Sequence, residues 1–271
     1  MIDVRSLTGL SFDTLAAAMN DAFSDYMVPM SMTAQQLENM QRRRGYIAEA
    51  SLGAFDGDRL VGFVFTCIDP FENGIRAYNS GTGVSPSHRR SGIARDLMLR
   101  AIDLVRARGA SQYVLEVIES NERAAALYGA VGFETTRKLQ CWTFAATEKG
   151  NAKELANADL DAIVANADVD LAWQNSLISI RRAPEPYVVL GDERGAAIVF
   201  PQSADLALLA VDRNERRHGL GKALLNAAAT RAAKPIRILN VDARDEGIAA
   251  FMNAVGAKPL VRQLEMSMTL T

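Results

Sequence analysis

Val84-Ser-Pro-Ser-His-Arg-Arg-Ser-Gly-Ile-Ala94 and Val211-Asp-Arg-Asn-Glu-Arg-Arg-His-Gly-Leu-Gly221 share one design. Each stretch follows an apolar run of strand character and opens a run of helix character. Such a junction exposes backbone N–H groups at a helix start, with arginines nearby and little side-chain bulk in the way. It is a cradle for a diphosphate. The spacing repeats as well. Gly219 follows Gly92 by 127 residues and Gly256 follows Gly132 by 124. The chain therefore reads as two copies of one α/β domain.

The elements predicted around the two loops support the duplication. The first half reads as a strand near Asp3–Leu7, a helix from Ser11 to Asp21 and a Met- and Pro-bearing connection. A helix capped by Thr33 and closed at Arg44-Gly45 comes next. Strands are expected at Ile47–Phe55, Leu60–Ile68 and Ile75–Val84, with Asp56-Gly-Asp58 as a hairpin turn. A helix from Gly92 to Arg108, a strand at Tyr113–Ile118, a helix from Glu122 to Val131 and a strand or a pair of them over Phe133–Ala145 complete the copy. The polar, alanine-rich run Glu148–Asp159 reads as a linker, which puts the domains at 1–147 and 148–271. The second half repeats the order. Helices are expected at Asp159–Ala167 and Leu171–Arg182, and strands at Tyr187–Leu190, Ala196–Phe200 and Leu206–Val211. A helix at Gly219–Ala233, a strand at Arg237–Val241, a helix at Glu246–Val255 and a last strand near Thr269 follow. Hairpins leading into helix–strand–helix–strand imply a mixed central sheet.

Bulk composition narrows the function. The 271 residues are 49% hydrophobic and 23% charged, with a net charge of −2. No global basic excess recruits nucleic acid. No run approaches the roughly 18 apolar residues of a membrane span, and Met-Ile-Asp-Val-Arg-Ser lacks the pattern of a signal peptide. Cys67 and Cys141 sit in apolar, strand-like contexts, as buried thiols of a reducing cytoplasm do, with one disulfide as the alternative. His88 and His218 both lie inside the loops and far apart in sequence, so no metal site is expected.

The first loop is followed at sensible spacing by Asn121-x-x-Ala124-x-x-Leu-Tyr128-x-x-x-Gly-Phe133. With these motifs in order, the chain resembles the GCN5-related N-acetyltransferase (GNAT) superfamily, twice over. The resemblance implies two tandem GNAT-like domains, each a mixed, mostly antiparallel sheet flanked by helices. It implies that acetyl-coenzyme A is the cofactor and that an amine-bearing acceptor is the partner. Backbone donors to the pyrophosphate would be Arg89, Arg90, Ser91, Gly92, Ile93 and Ala94. Val84 and Pro86 would line the pantetheine, with the Val84 N–H polarising the thioester carbonyl. Asn121 would meet the pantetheine arm, and Ala124 and Leu127 would pack beside it. A dinucleotide site fits less well, because the loop follows hairpin strands and lacks the first glycine of that fingerprint.

Acetyl transfer to an amine needs a base, a polarised carbonyl and an acid for the departing thiolate. Tyr128 matches the family's acid beside the sulfur; its structural alternative is a tyrosine packing the last helix onto the sheet. Glu116, on the strand Tyr113–Ile118, resembles the base of the peptide α-amine branch, with Glu119 or ordered water as alternatives. Aligning the late glycines puts Met252 opposite Tyr128, Asp245 opposite Asn121 and Asn240 opposite Glu116. The second copy thus keeps its loop, Val211, Arg216, Arg217, His218, Gly219, Leu220 and Gly221, and loses the proton-moving groups. Asp242 and Tyr187 remain there without a motif. This makes the second domain structural, or a coenzyme A binder without turnover. The acceptor would approach Phe23–Met32, with Asp25, Asp69 and Glu72 as charges for a cation. Peptide, lysine, polyamine, aminoglycoside and small amines stay open, as does a homodimer. A non-enzymatic acyl-coenzyme A module is the rival reading.

Overall fold

The computed structural model describes residues 2–25, 31–71 and 74–270. The first copy runs β1 (Ile2–Ser6), α1 (Phe12–Ala22), α2 (Ala34–Arg44), β2 (Leu52–Asp56), β3 (Arg59–Phe71), β4 (Gly74–Val84), α3 (Ile93–Ala107), β5 (Gln112–Ile118), α4 (Glu122–Ala130) and β6 (Glu134–Phe144). The second runs α5 (Leu160–Val164), α6 (Leu177–Arg182), β7 (Val188–Asp192), β8 (Gly195–Phe200), β9 (Asp205–Val211), α7 (Leu220–Thr230), β10 (Ile236–Asp242), α8 (Glu246–Ala254) and β11 (Lys258–Thr269). Local chemistry sets the helix ends. Thr33 and Gln36 form a reciprocal capping box, and Gly45 closes α2 in the left-handed region at φ 83°.

Two elements differ from their sequence expectation. Ala48–Ala50 is a 3-10 turn, and the strand begins only at Leu52. The Ala-Glu-Ala run offers no β-branched or aromatic side chain to a sheet. The helix expected over Leu171–Arg182 is broken into a 3-10 turn at Trp173–Asn175 and α6. Asn175 there spends its amide on the Leu239 carbonyl, and Ser176 caps α6 through the Ser179 N–H. Short polar side chains that bond to backbone compete with a continuous helix.

The chain forms two compact units that are not consecutive pieces of sequence. The first comprises Met1–Val117, Asn121–Thr136 and Glu265–Thr271, and the second Ile118–Ser120 and Arg137–Leu264. In the first unit the strand order is β1-β2-β3-β4-β5-β11, where the Leu270 N–H bonds to the Ser111 carbonyl. In the second it is β6-β10-β9-β8-β7, with β6 antiparallel to β10. Within each unit antiparallel pairs dominate, and one parallel pair (β4 with β5, β9 with β10) carries the helical crossover.

Helices cover both faces of each sheet. In the first unit the stacked rings of Phe63 and Phe65 meet Leu15, Met19 and Leu37 of α1 and α2. In the second, α7 packs Leu224, Leu225 and Ala228 on Val199, Leu206 and Ile238. The opposite face, with Ile198, Phe200 and Leu208, closes on Leu160 of α5 and Ile180 of α6. Cys67 and Cys141 are buried free thiols.

Candidate active site

A β-bulge opens each sheet at the same place in the repeat. Phe65 faces Gly81 and Thr66 faces Asn79, so Ser80 is the extra residue of β4. In the second copy Ile198 faces Leu208 and Val199 faces Leu206, which makes Ala207 the extra residue of β9. Ala207 follows Ser80 by 127 residues, the offset of the glycine loops. The bulge bends its strand. Parallel pairing of β4 with β5 accordingly runs from Arg76 to Asn79 and stops. Beyond it the two strands part.

Ladder geometry then aims the Val84 amide. Gly62 faces Val84, and the Ser85 N–H bonds to the Val61 carbonyl. That pattern makes Gly62–Val84 a non-hydrogen-bonded pair, so the Val84 N–H points away from β3 and toward the opening beside β5. Val211 repeats the arrangement: it faces Gly195, and the Asp212 N–H bonds to the Arg194 carbonyl.

The loop after Val84 is built as an anion nest. Arg90 has φ 63° and Gly92 φ 84°; Arg217 and Gly219 repeat this at 67° and 88°. Left-handed residues at alternate positions turn successive N–H groups to one side. No side chain caps α3 at Gly92 or α7 at Gly219, which leaves the first-turn donors for an anion. The residues present fit a diphosphate.

The two arginines of each loop divide the labour. Arg89 grips both Asp25 carboxylate oxygens at 2.7 Å, and also donates to the Val84 and Ala22 carbonyls. This holds the Asp25 carboxyl below its usual range. Arg216 donates to one Asp168 oxygen, the Val211 carbonyl and the Asn166 carbonyl, while Arg213 takes the other Asp168 oxygen. The first arginine thus ties the loop to the end of the first-helix region. Arg90 and Arg217 are exposed and carry the charge that a phosphate would meet.

A cavity of about 530 Å³ gathers most of the expected cofactor residues in the first unit. Val84, Arg89, Arg90, Gly92, Ile93, Ala94, Asn121, Ala124, Leu127 and Tyr128 line it; Pro86, Ser91 and Glu116 do not. Thr82 and Arg123 line it too and were not singled out in the sequence; His88, weighed there only as a metal ligand, also lines it. Asn121 has a structural duty as well, capping α4 by accepting the Ala124 N–H. Asp245 caps α8 in the same way through Ile248.

Tyr128 and Glu116 lie toward opposite faces of β5, and only Tyr128 lines the cavity. Tyr128, 7% exposed, packs edge-on to Phe133, which meets Tyr113. Tyr113 shares its face with Thr66, to which its hydroxyl is bonded. Glu116 lies on the other face, that of Phe63 and Phe65, where the Tyr78 hydroxyl donates to it at 2.7 Å. Burial and the neighbouring Glu116 carboxylate push the Tyr78 phenol well above its normal value, so it remains a donor. Sequence reasoning missed Tyr78 as the partner of Glu116. Its place in the alternation of β4 was readable; its partner on another strand was not. Glu119 belongs to the second unit and is ion-paired with Lys138, which lowers its carboxyl.

In the second unit the cavity is larger, about 860 Å³. Val211, Arg216, Arg217, Gly219, Gly221, Asn240, Asp242 and Met252 line it; His218, Leu220 and Tyr187 do not. Tyr187 packs against Phe200 instead. Asp242 is fully buried. Burial pushes its carboxyl up, but hydrogen bonds from Arg244 and Arg137 outweigh this and hold it at about 2. A carboxylate held that low is a poor base.

Of the acceptor segment, Tyr26–Met30 and Glu72 lie outside the described residues. Asn20 anchors Met32 through two hydrogen bonds of 2.9 Å, and Asp69 is buried. No helix among the described residues is long and apolar enough to cross a membrane, and no group of three or more metal-ligating side chains gathers among them.

Comparison with known proteins agrees with this architecture. The model of the acetyltransferase (GNAT) family matches residues 15–133 and 176–256. N-alpha-acetyltransferase 30 of Schizosaccharomyces pombe is 33% identical over 93 residues, which cover 34% of this chain and 61% of that protein. Mycothiol acetyltransferase of Thermobispora bispora is 30% identical over 115 residues, 41% of this chain and 39% of that one. The chain thus spans less than two thirds of these curated relatives. Among solved structures, a putative acetyltransferase from Pyrococcus horikoshii superposes with a TM-score of 0.75 at 15% identity, covering 100% of this chain and 90% of its own. A tandem GNAT protein from the clavulanic acid biosynthesis pathway gives 0.72 at 16% identity, covering 100% and 99%. At such identities the likeness is one of fold, and it extends over both copies. With the family matched over most of its length, in both halves, the chain belongs to the acetyltransferase (GNAT) family.

Proposed function

We propose that the chain transfers an acetyl group from acetyl-coenzyme A to a primary amine, by direct attack in a ternary complex in its N-terminal domain, residues 1–147. One observation carries the reading. The Val84 N–H points into the opening between β4 and β5, Tyr128 lines the cavity there, and Glu116 lies one residue past the last β4–β5 pair on the other face. The loop 89–94 holds the diphosphate of the cosubstrate. The Val84 N–H polarises the thioester carbonyl, Glu116 or a water it orders takes the amine proton, and Tyr128 protonates the departing sulfur. An amine arriving over Glu116 and a thioester arriving beside Tyr128 then meet without sharing a path.

The relative named N-alpha-acetyltransferase 30 favours a peptide α-amine as acceptor. The mycothiol acetyltransferase relative favours a small-molecule amine as the second reading. The C-terminal domain, residues 148–271, is non-catalytic on this view, because Met252 cannot protonate a thiolate and Asn240 cannot act as a base. The test is a thiol-release assay over N-terminal peptides, polyamines and aminoglycosides. Release with one class and loss of release in Tyr128→Phe support the proposal. Cofactor binding with no release across the whole panel would instead establish a non-enzymatic acyl-coenzyme A module.

A further inference from the structure

The bulge that opens the first sheet is gripped by side chains from both faces. Ser80, its extra residue, is buried, and α2 takes both its hydroxyl and its carbonyl. The hydroxyl donates to Gln41 Oε1 at 2.6 Å, and the carbonyl accepts from Arg44 Nη1 at 3.2 Å. Gln41 and Arg44 stand three residues apart, on one side of the helix. From the α3 side, where it also meets Met98, Asn79 spans the bulge with its carboxamide. Its Oδ1 accepts the Gly81 N–H at 3.0 Å, and its Nδ2 donates to Thr82 Oγ1 at 2.7 Å.

The second copy bulges without these bonds. At the offset of 127 residues, Ala207 stands for Ser80, Leu206 for Asn79 and Leu209 for Thr82. None of these side chains can hydrogen-bond, yet the register shifts there between Ile198 and Val199 in the same way. The backbone therefore bulges without a polar grip. Nor does Gln41 serve stability in an obvious way. It is fully buried, and its Nε2 has no hydrogen-bond partner among the described residues. A buried donor left unmade offsets the one bond that the carboxamide forms.

What the grip fixes is the spacing along β4 between two parts of the proposed mechanism. Two residues before Ser80, Tyr78 donates to Glu116; four residues after it, the Val84 N–H faces the opening. Arg44 also stands close enough to Tyr78 for its charge to oppose the rise that burial and Glu116 impose on the phenol. Neither Gln41 nor Arg44 lines the cavity. We propose that both are positioning residues: by holding Ser80 they keep Glu116, on the amine side, in register with the carbonyl donor at Val84. Their role rests on the acetyl-transfer reading of this site. A slip of about 1 Å between such groups costs on the order of 10²-fold in rate, so a loosened bulge is felt in kcat.

Thiol-release kinetics of the full-length chain test this, read beside urea denaturation and coenzyme A calorimetry. Gln41→Met and Ser80→Ala should each lower kcat about tenfold and leave the Kd for coenzyme A unchanged. The urea midpoint should hold in Gln41→Met and fall in Ser80→Ala, which strands the buried carboxamide. The double variant separates positioning from stability. Its midpoint should recover, while its kcat stays as low as that of the slower single variant. Arg44→Lys, which keeps a donor for the Ser80 carbonyl, should retain more activity than Arg44→Met. Should Gln41→Met fail to fold, Ser80→Ala decides through kcat, since it only installs the residue that bulges at 207. A kcat that recovers together with the midpoint overturns the assignment, as do losses that multiply in the double variant. Full release by Ser80→Ala beside an active wild type overturns it too, and leaves the acetyl-transfer reading standing. A wild type that releases no thiol with any amine overturns both.

Discussion

The two copies share the backbone devices of the site and differ in the side chains proposed to move protons. Bulge, inward-facing valine amide, left-handed arginine and glycine, arginine clamp and helix cap recur in both. What changes is Tyr128 to Met252 and Glu116 to Asn240. Binding geometry in this fold is written in the main chain, where few substitutions can erase it. Chemistry is written in one or two side chains and disappears with them.

The largest effect that breaks the comparison is expected at Tyr128. Tyr128→Phe should cut kcat by ~10²- to 10⁴-fold, the usual worth of a general acid, with coenzyme A affinity unchanged by calorimetry. Full turnover in this variant would return Tyr128 to a packing role. Next comes Glu116→Gln, with a loss of about 10²-fold in kcat/KM for the amine. Tyr78→Phe should produce part of that loss, and the double variant should be no slower than Glu116→Gln alone. Multiplying losses would show that Tyr78 acts independently of Glu116.

A smaller effect is expected in the second unit. The Asp242 carboxyl, at about 2 in the folded chain, lies below the ~3.9 of an unfolded aspartate. Its contribution is therefore complete above pH ~4 and fades as the pH falls toward 2; at neutral pH it is about 2–3 kcal/mol. Asp242→Asn should lower stability in urea by that order at pH 7, and the gap from wild type should narrow below pH 4. A gap that persists undiminished at pH 2.5 would assign Asp242 a role other than its charge. The smallest effect belongs to Arg90→Ala. It should raise the Kd for acetyl-coenzyme A about fivefold at low salt, and less at high salt, as exposed charges do. Arg89→Ala, by contrast, should disturb the loop itself, because its guanidinium joins Asp25 and two carbonyls.

Much of this architecture was legible in the chain. Serine, threonine and glycine at helix ends, together with the alternation of the strands, placed nearly all elements within a few residues. The loop motif and the Asn121–Phe133 run pointed to the family, and the aligned glycines to the positions where the two copies differ. Other features depend on partners distant in sequence. Nothing near Arg89 announces that Asp25 will occupy its guanidinium, 64 residues away. Nor does any local pattern mark Ser80 or Ala207 as bulges, since an extra residue exists only relative to the opposite strand. The Tyr78–Glu116 bond and the left-handed Asn240 are likewise products of neighbouring strands. Sequence periodicity reports faces; it does not report who meets across them.

The membership of the compact units has an evolutionary side. The first unit, which carries Tyr128, ends with residues 265–271. A deletion that trimmed away the second half of the chain would take those residues with it and leave the first unit without its last strand residues. A duplication arranged in this way cannot be reversed by simple loss. Whatever the side chains of the second copy do, the last residues of the chain are kept by the first unit that they belong to.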